Sequence, residues 1–505
     1  MQKIKTALIS VYYKDNLEDI LRLLQKENVR ILSTGGTYDF IRSLGIDAEE
    51  VAGLTGFPSI LDGRVKTLHP KVFGGILAKR NDDHLGQLAT YEIPPIDLVI
   101  VDLYPFEKTV ENSSDENEII EKIDIGGVSL IRAAAKNYQD VLIVGSQAQY
   151  ADLLNILVAH GCGSTLEDRK SMATKAFGVT MHYDSAIYKY FAGGNFPLVS
   201  EWMTQPNALR YGENPHQQAY FYGDHSQIFK KLSGKELSYN NLTDIDSAMQ
   251  LLNEFDESQA VFAILKHTNP CGCAIGKTVD EAWDRALEAD PISAFGGVLI
   301  CNQRIDFSVA EKIDHIFFEV LLAPDFSTEA LELLTKKKNR ILLSIKKSFK
   351  NAQMMKTALN GLLIQDVDDH KTDIEQLKTV TERVPDSSEL ADLIFANKIV
   401  KHLKSNAIAL AKNGQFLGGG NGQTSRVDAT RQAIEKAHQF GLDLKGAVMA
   451  SDAFFPFPDS IEFAADAGIT AVIQPGGSIK DSLSTDFCNA RQIAMVNTGV
   501  RHFKH

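Results

Sequence analysis

Residues 265–276 read LKHTNPCGCAIG, with Lys266 and His267 directly ahead of Thr268-Asn269-Pro270 and then Cys271 and Cys273. Two chemistries compete for this run. A histidine and two thiolates so close together could begin a metal site, because Zn²⁺ takes nitrogen and sulfur ligands. A histidine beside an ammonium could move protons instead, since a neighbouring like charge disfavours the imidazolium and leaves a proton acceptor at neutral pH. Spacing separates the two. A zinc-activated deaminating site pairs His-x-Glu with a separate Pro-Cys-x-x-Cys. Here Asn269 stands where the glutamate would be, and Pro270-Cys271-Gly272-Cys273 is one residue too short. Cys162, Cys301 and Cys488 supply no second pair, so a tetrahedral centre lacks ligands at any standard spacing. The expected chemistry is proton transfer without a metal, with the cysteines as buried filler.

The first ~195 residues carry a second group of reactive side chains. ILSTGGTYDF runs from a strand through Ser33, Thr34, Gly35, Gly36 and Thr37 into a helix, and a helix start offers free N–H groups to an anion. GRVKTLHPKVFGG crowds Arg64, Lys66, His69 and Lys71 between glycines, with Thr67 among them. Four basic groups in eight residues suit a sugar phosphate better than isolated surface charge. DLYPF, which includes Asp102, places Tyr104 just after a buried-looking strand, and IDIGGVSLIRAAAKN puts Asp124 ahead of Gly126-Gly127, with Lys136 two turns on. Singly, capping and solvation explain Asp124 and Lys136; together the group points to a ligand site.

These side chains need a scaffold. TALISV, VRILST, DLVIVDLYP and DVLIVGS have strand length, and LEDILRLLQKE, TYDFIRSL and GVSLIRAAAKN have helical spacing. That alternation predicts a doubly wound parallel sheet with ligands at the carboxyl ends of its strands. Leu166 to Phe191 reads as one or two closing helices, and GGNFPLVSEWMTQPNA as a linker. Beyond it a second α/β region carries AVFAILKH as a strand. It also carries Arg210 and Tyr211 before an Asn-Pro turn, Asp244 near a helix start, and Gly296 in DPISAFGG. Asn406 and Arg426 follow, then Asp452, Phe454 and Asp459 in SDAFFPFPDS, and Arg501 in the C-terminal RHFKH.

The totals bound the class. At 505 residues with 44% hydrophobic and 23% charged composition, the chain should form several globular units. No run approaches the roughly 20 apolar residues needed to span a bilayer. A net charge of −13 argues against nucleic acid as a partner. Five scattered cysteines and the lack of a signal pattern suggest a reducing cytoplasm.

In their order, STGGT, GRVKTLHP, DLYPF and IDIGGVSLIRAAAKN resemble the inosine-monophosphate (IMP) cyclohydrolases. RYGENPHQ, KHTNPCG, DPISAFGG, SNAIALAKNGQ, SRVD, SDAFFPF and RHFKH resemble the formyltransferases of aminoimidazolecarboxamide ribonucleotide (AICAR) that share a chain with them. The likeness covers nearly the whole sequence; about 346–387 shows nothing familiar. It implies a methylglyoxal-synthase-like domain at 1–195. At 196–505 it implies a duplicated cytidine-deaminase-like α/β region, with subdomains at about 196–365 and 388–505. It also implies a homodimer with formyltransferase sites between subunits and 10-formyltetrahydrofolate as co-substrate. Formyl transfer to AICAR would give the formylated nucleotide (FAICAR), and its ring closure would give IMP. By this resemblance Lys66, Tyr104, Asp124 and Lys136 catalyse ring closure, and Ser10, Lys14, Ser33, Thr34, Gly35, Gly36, Thr37, Arg64, Thr67, Asp102 and Gly126 hold the nucleotide. Lys266, His267 and Asn406 would carry formyl transfer. Arg210, Tyr211, Gly296, Glu319, Arg426, Asp452, Phe454, Asp459, Ser478 and Arg501 would bind its substrates. One departure stands out: the family pattern SVSDKTG is SVYYKDN here, so Tyr12 and Tyr13 replace a serine and an aspartate. Two other readings remain open on residues alone, a zinc hydrolase on the second region and a nucleotide-sensing protein.

Overall fold

The computed structural model describes every residue except 59, 61–64, 194–205 and 350–351. The chain divides into two units, Met1–Thr204 and Gln205–His505. Of the linker expected over GGNFPLVSEWMTQPNA, residues 194–205 lie outside the described residues, and its end belongs to the short strand Pro206–Leu209.

In the first unit the apolar runs form β1 (Thr6–Ser10), β2 (Arg30–Ser33), β4 (Leu98–Val101) and β5 (Leu142–Val144), and the exposed pair Glu49–Glu50 forms β3. They are ordered β3-β2-β1-β4-β5, and every pairing is parallel. Helices α1 (Glu18–Lys26), α2 (Gly35–Ser43), α3 (Gly126–Lys136) and α4 (Leu166–Phe191) bury apolar faces in the cores of this unit. The two-helix alternative for α4 gives way to one continuous helix of 26 residues, opened by a capping box between Thr165 and Asp168. The strand order reverses between β1 and β4. A crevice opens at such a switch point, outside the carboxyl ends of the strands.

The second unit is built on one sheet of twelve strands among the described residues. Its first half comprises β6 (Phe229–Ser233), β7 (Ala260–Lys266), β8 (Asn269–Gly276), β9 (Gly297–Cys301), β10 (Phe318–Ala323) and β11 (Ile341–Ile345). Helices α5 (Tyr239–Leu252), α6 (Val279–Glu288), α7 (Phe307–Asp314) and α8 (Thr328–Leu334) alternate with them. The second half comprises β12 (Lys378–Thr379), β13 (Ile408–Lys412), β14 (Gln415–Gly420), β15 (Val448–Ser451), β16 (Ala471–Gln474) and β17 (Ala494–Asn497). Here α9 (Ser387–Val400), α10 (Arg426–Gln439), α11 (Asp459–Asp466) and α12 (Asp481–Ala490) alternate in the same sequence.

The sheet runs β6-β11-β10-β9-β7-β8-β14-β13-β15-β16-β17-β12. Each half is therefore an antiparallel hairpin, three parallel strands and an antiparallel edge strand, in the same chain order. The halves meet through antiparallel β8 and β14, so they point in opposite senses. One end of the sheet consequently presents the carboxyl end of β7 and the amino ends of β9 and β10. The same end presents the amino end of β13 and the carboxyl ends of β15, β16 and β17. The stretch 346–387, blank to motif reading, contains a separate two-stranded hairpin, Gln353–Ala358 with Gly361–Asp366.

Candidate active sites

At the switch point of the first unit lies a cavity of about 540 Å³. The loop after β1 brings Ser10, Tyr12 and Lys14 to it, the start of α2 brings Thr34, Gly36 and Thr37, and the loop after β4 brings Asp102 and Tyr104. Lys66, Thr67, Asp124 and Gly126 close the opposite side. Thr34 is the N-cap of α2 yet makes no side-chain cap bond, and the Ser10 and Thr34 hydroxyls lie 2.9 Å apart. This end of α2 thus keeps N–H groups and hydroxyls for an anion.

Loop geometry here is set by carboxylates. Asp102 accepts the N–H groups of Tyr12 and, at 3.0 Å, Tyr13. The backbone of the Tyr-Tyr pair that departs from the family pattern is thus held by Asp102. The Tyr12 ring meets the Tyr104 ring edge-on, with centroids 5.7 Å apart. Asp124 accepts the Gly127 N–H at 2.7 Å, and its own N–H donates to the Tyr183 hydroxyl at 2.9 Å. A Cβ at Gly127 would stand 2.5 Å from Asp124 Oδ2, so only glycine allows this approach. Burial pushes the Asp124 carboxyl above the usual aspartate range, against the pull of Gly127 N–H, Tyr104 N–H and the Lys66 ammonium. Burial also raises Tyr104, reinforced by the negative Asp124 and Glu121. The pair therefore offers a carboxylate willing to take a proton and a phenol that keeps its own.

Three described residues assigned by sequence, Lys136, Ser33 and Gly35, do not line this cavity. Lys136 lies exposed in the last turn of α3, while the cavity takes the first turn of that helix. Lys136 stands six residues beyond Leu130, the last α3 residue at the cavity, a rise of about 9 Å. Ser33 is buried, and its hydroxyl donates to Ile9 O at 2.8 Å, tying β2 to β1. Arg64 lies outside the described residues. Gly35 does not line the cavity, but a Cβ there would come 3.9 Å from Lys66 Nζ.

In the second unit, LKHTNPCG is a hairpin whose turn comes earlier than Thr268-Asn269-Pro270. Lys266 pairs with Asn269, and Pro270 already belongs to β8. The two turn residues, His267 and Thr268, both have positive φ, 50° and 65°. A two-residue hairpin of this kind prefers Asn-Gly, and a side chain held in that conformation costs about 1–3 kcal/mol. Lys266 and His267 stand at a strand end in the interior of the sheet, since β7 is fifth of twelve strands.

A bulge then separates the cysteines. The register between β7 and β8 shifts after Ile264, which faces Gly272 while Leu265 faces Pro270, so Cys271 is the extra residue. Cys273 consequently packs with Val261, Ala263 and Leu265, and Cys271 with Phe262 and Ile264 in the core on the other face. Burial pushes the Cys271 thiol up to about 12 and raises Cys273 as well. The two thiols cannot share an ion. Among the described residues no group of three or more His, Cys, Asp or Glu is placed to hold one.

A cavity of about 240 Å³ opens beside the hairpin, lined by Lys266 and His267 from one half of the sheet and by Gly419, Asn421, Gln432 and Lys436 from the other. Lys266 Nζ donates to Phe295 O. A Cβ at Gly296, where φ is +71°, would lie 3.1 Å from that ammonium. Asp290, paired with Lys436 at 2.6 Å, completes the wall. Lys436 escapes motif reading because its partner Asp290, the first residue of DPISAFGG, lies 146 positions away; Asn421, whose N–H donates to Gln432 Oε1 at 2.9 Å, lies in no quoted motif.

The remaining assigned residues do not line the cavity. Buried Arg426 bonds Asp452, Ser451 Oγ at 2.8 Å and Asn406 Oδ1 at 2.9 Å. Asn406 Nδ2 donates to Gln423 O and Thr424 O, at 3.1 and 3.2 Å. As placed, the Asn406 amide group is engaged by the backbone of residues 423 and 424. Glu319, on β10, pairs with Lys235 at 2.6 Å. Asp459 opens α11, and the Ser478 hydroxyl accepts the Lys480 N–H at 3.1 Å. Phe454 is exposed, Arg210 stacks on the neighbouring Tyr211 ring at 4.6 Å, and Arg501 lies over the Phe503 ring at 4.4 Å.

Two family models match the chain, the MGS-like domain over residues 16–129 and the AICARFT/IMPCHase bienzyme over residues 134–436. The bifunctional purine biosynthesis protein PurH of Bacteroides thetaiotaomicron is 57% identical over 505 residues, covering 100% of this chain and 99% of the relative. The proteins of that name from Acetivibrio thermocellus and Bacillus subtilis are 48% and 46% identical, each over 99% of this chain and 100% of the relative. Full-length identity of this order, over both the switch-point cavity and the hairpin site, leaves one conclusion: the chain belongs to the AICARFT/IMPCHase bienzyme family, the bifunctional formyltransferases and cyclohydrolases of purine biosynthesis.

Proposed function

We propose that the two reactions of this family are divided between the two units, with formyl transfer at the Lys266–His267 hairpin and ring closure at the switch-point cavity. The observation that carries the division is the separate clustering of two sets of proton-transfer side chains, Lys66 with Tyr104 and Asp124 in one unit and Lys266 with His267 in the other.

In formyl transfer the amine of AICAR attacks the formyl carbon of 10-formyltetrahydrofolate. His267 accepts the proton that the amine loses, and Lys266 stabilises the oxyanion. The bond from carbon to the folate nitrogen then breaks, and that nitrogen is protonated as tetrahydrofolate leaves. Acid–base help of this kind is worth about 10²–10⁴-fold. Arg426 and Asn406 shape the adjoining wall. In ring closure Asp124 accepts the proton of the carboxamide nitrogen as that nitrogen attacks the formyl carbon. Lys66 and Tyr104 donate to the new oxyanion, and water leaves. The phosphate sits at the start of α2, among Ser10, Lys14, Thr34, Gly36, Thr37 and Thr67. Lys136, assigned to ring closure by the resemblance, does not line this cavity.

Arg210, Tyr211, Phe454 and Arg501 are at least partly exposed in a single chain, which supports a homodimer in which a second copy completes the formyltransferase site. Five free cysteines support a cytoplasmic setting. The test is turnover: purified protein given AICAR and 10-formyltetrahydrofolate should produce IMP. Substrates bound without product would instead favour a sensing role.

A further inference from the structure

His267, the proposed proton acceptor, sits on backbone that resists its own conformation. It and Thr268 are both left-handed, and neither is glycine. Thr268 is β-branched, the side-chain class least suited to positive φ. Something must hold this turn. Within the hairpin, Thr268 Oγ1 and Asn269 Nδ2 both donate to His267 O, at 2.6 and 2.8 Å. To a partner outside the hairpin, among the described residues, the turn's backbone makes one hydrogen bond: Thr268 N–H donates to Asp244 Oδ1 at 2.7 Å. Asp244 stands on α5, which packs against β7. It does not cap that helix, because Ser238 and Asn241 form the capping box. Its carboxylate also lies close enough to His267 and Lys266 to be stabilised by their charge, although burial raises its pKa overall.

We propose that Asp244 is the positioning residue of the formyltransferase site, clamping the Thr268 N–H from α5 so that the left-handed turn holds the His267 imidazole at the end of β7. The inference rests on the assignment of His267 as proton acceptor. The carboxylate acts through the turn and touches no substrate. Small displacements matter at such a site, since misplacing a reacting group by about 1 Å can cost about 100-fold in rate.

The experiment compares Asp244→Ala and Asp244→Asn in the full-length protein. Formyl-transfer kcat is normalised to the rate at which the same preparation cyclises supplied FAICAR, which measures folded enzyme. Asp244→Ala removes the acceptor and should lower the normalised kcat roughly 10- to 100-fold, with KM for AICAR little changed. Asp244→Asn keeps an acceptor oxygen in place and should recover most of that loss. Wild-type kcat in Asp244→Ala would overturn the proposal. So would an asparagine variant as slow as the alanine one, because charge and not the clamp would then be the cause. His267→Ala, run alongside, separates the levels: if it too retains formyl transfer, the underlying assignment fails, and if it alone is inactive, only the role of Asp244 fails.

Discussion

Cys271 and Cys273 are neighbours but one on a single strand, yet they belong to cores on opposite faces of the sheet, because the bulge between β7 and β8 makes Cys271 the unpaired residue. A regular strand would have pointed both thiols the same way.

The native protein should therefore treat these thiols as inert. Burial raises Cys271 and Cys301 to about 12, and only the thiolate is nucleophilic. A thiol reagent at pH 7.5 should label Cys271 and Cys273 slowly in the folded protein and promptly in denaturant. Chelator-washed protein should keep its formyl-transfer rate. Prompt labelling of either cysteine in the folded protein would contradict the packing described.

Tyr12 should matter to ring closure through its edge-on contact with Tyr104. Aromatic pairs of this kind are worth about 0.5–1.5 kcal/mol, or roughly 2- to 12-fold in rate. Tyr12→Leu should lower kcat/KM for cyclisation by that factor, Tyr12→Phe much less, and neither should alter formyl transfer. Steady-state kinetics with supplied FAICAR measures this.

The pH profile of cyclisation follows from two raised groups. Asp124 must be ionised to accept a proton, and burial lifts it above the ordinary aspartate value of about 3.9. Activity should therefore fall on the acid side at a pH above that value. Tyr104 must stay protonated to donate, and its shift is upward from about 10, so the alkaline limb should lie above pH 10. For stability the sign is opposite to that of a salt-bridged carboxylate. A raised Asp124 contributes fully below its unfolded pKa, and the contribution is lost as pH rises through the folded one. Asp124→Asn should remove the acid limb from kcat/KM.

Arg426 and Asp452 form a buried pair with side-chain exposures of 7% and 0%. Removing the cation strands a carboxylate, which costs about 3–5 kcal/mol. Arg426→Ala should lower the unfolding free energy of the second unit by that amount in a denaturant titration. Arg426→Lys should lose less stability but still fail to bridge Asp452, Ser451 and Asn406 together.

Much of this was legible from residues alone. The alternation of apolar runs and helical spacing reports the parallel sheet of the first unit, because parallel strands are buried on both faces. Lys66, Tyr104 and Asp124 reach one cavity because each follows a strand or precedes a helix near the switch point. The turn at His267-Thr268 was hidden, since neither residue favours left-handed backbone and Asn-Pro two residues on is the stronger turn signal. The bulge at Cys271 was hidden because it breaks the two-residue period that sequence reading relies on. Pairings such as Lys436 with Asp290, 146 positions apart, leave no local trace.

The central claim is that one chain carries two separable sites. The direct test is His267→Ala, assayed in parallel for formyl transfer from 10-formyltetrahydrofolate to AICAR and for closure of supplied FAICAR to IMP. The account predicts that formyl transfer is abolished while cyclisation proceeds at the wild-type rate. An equal fall of both activities in a folded variant would contradict it.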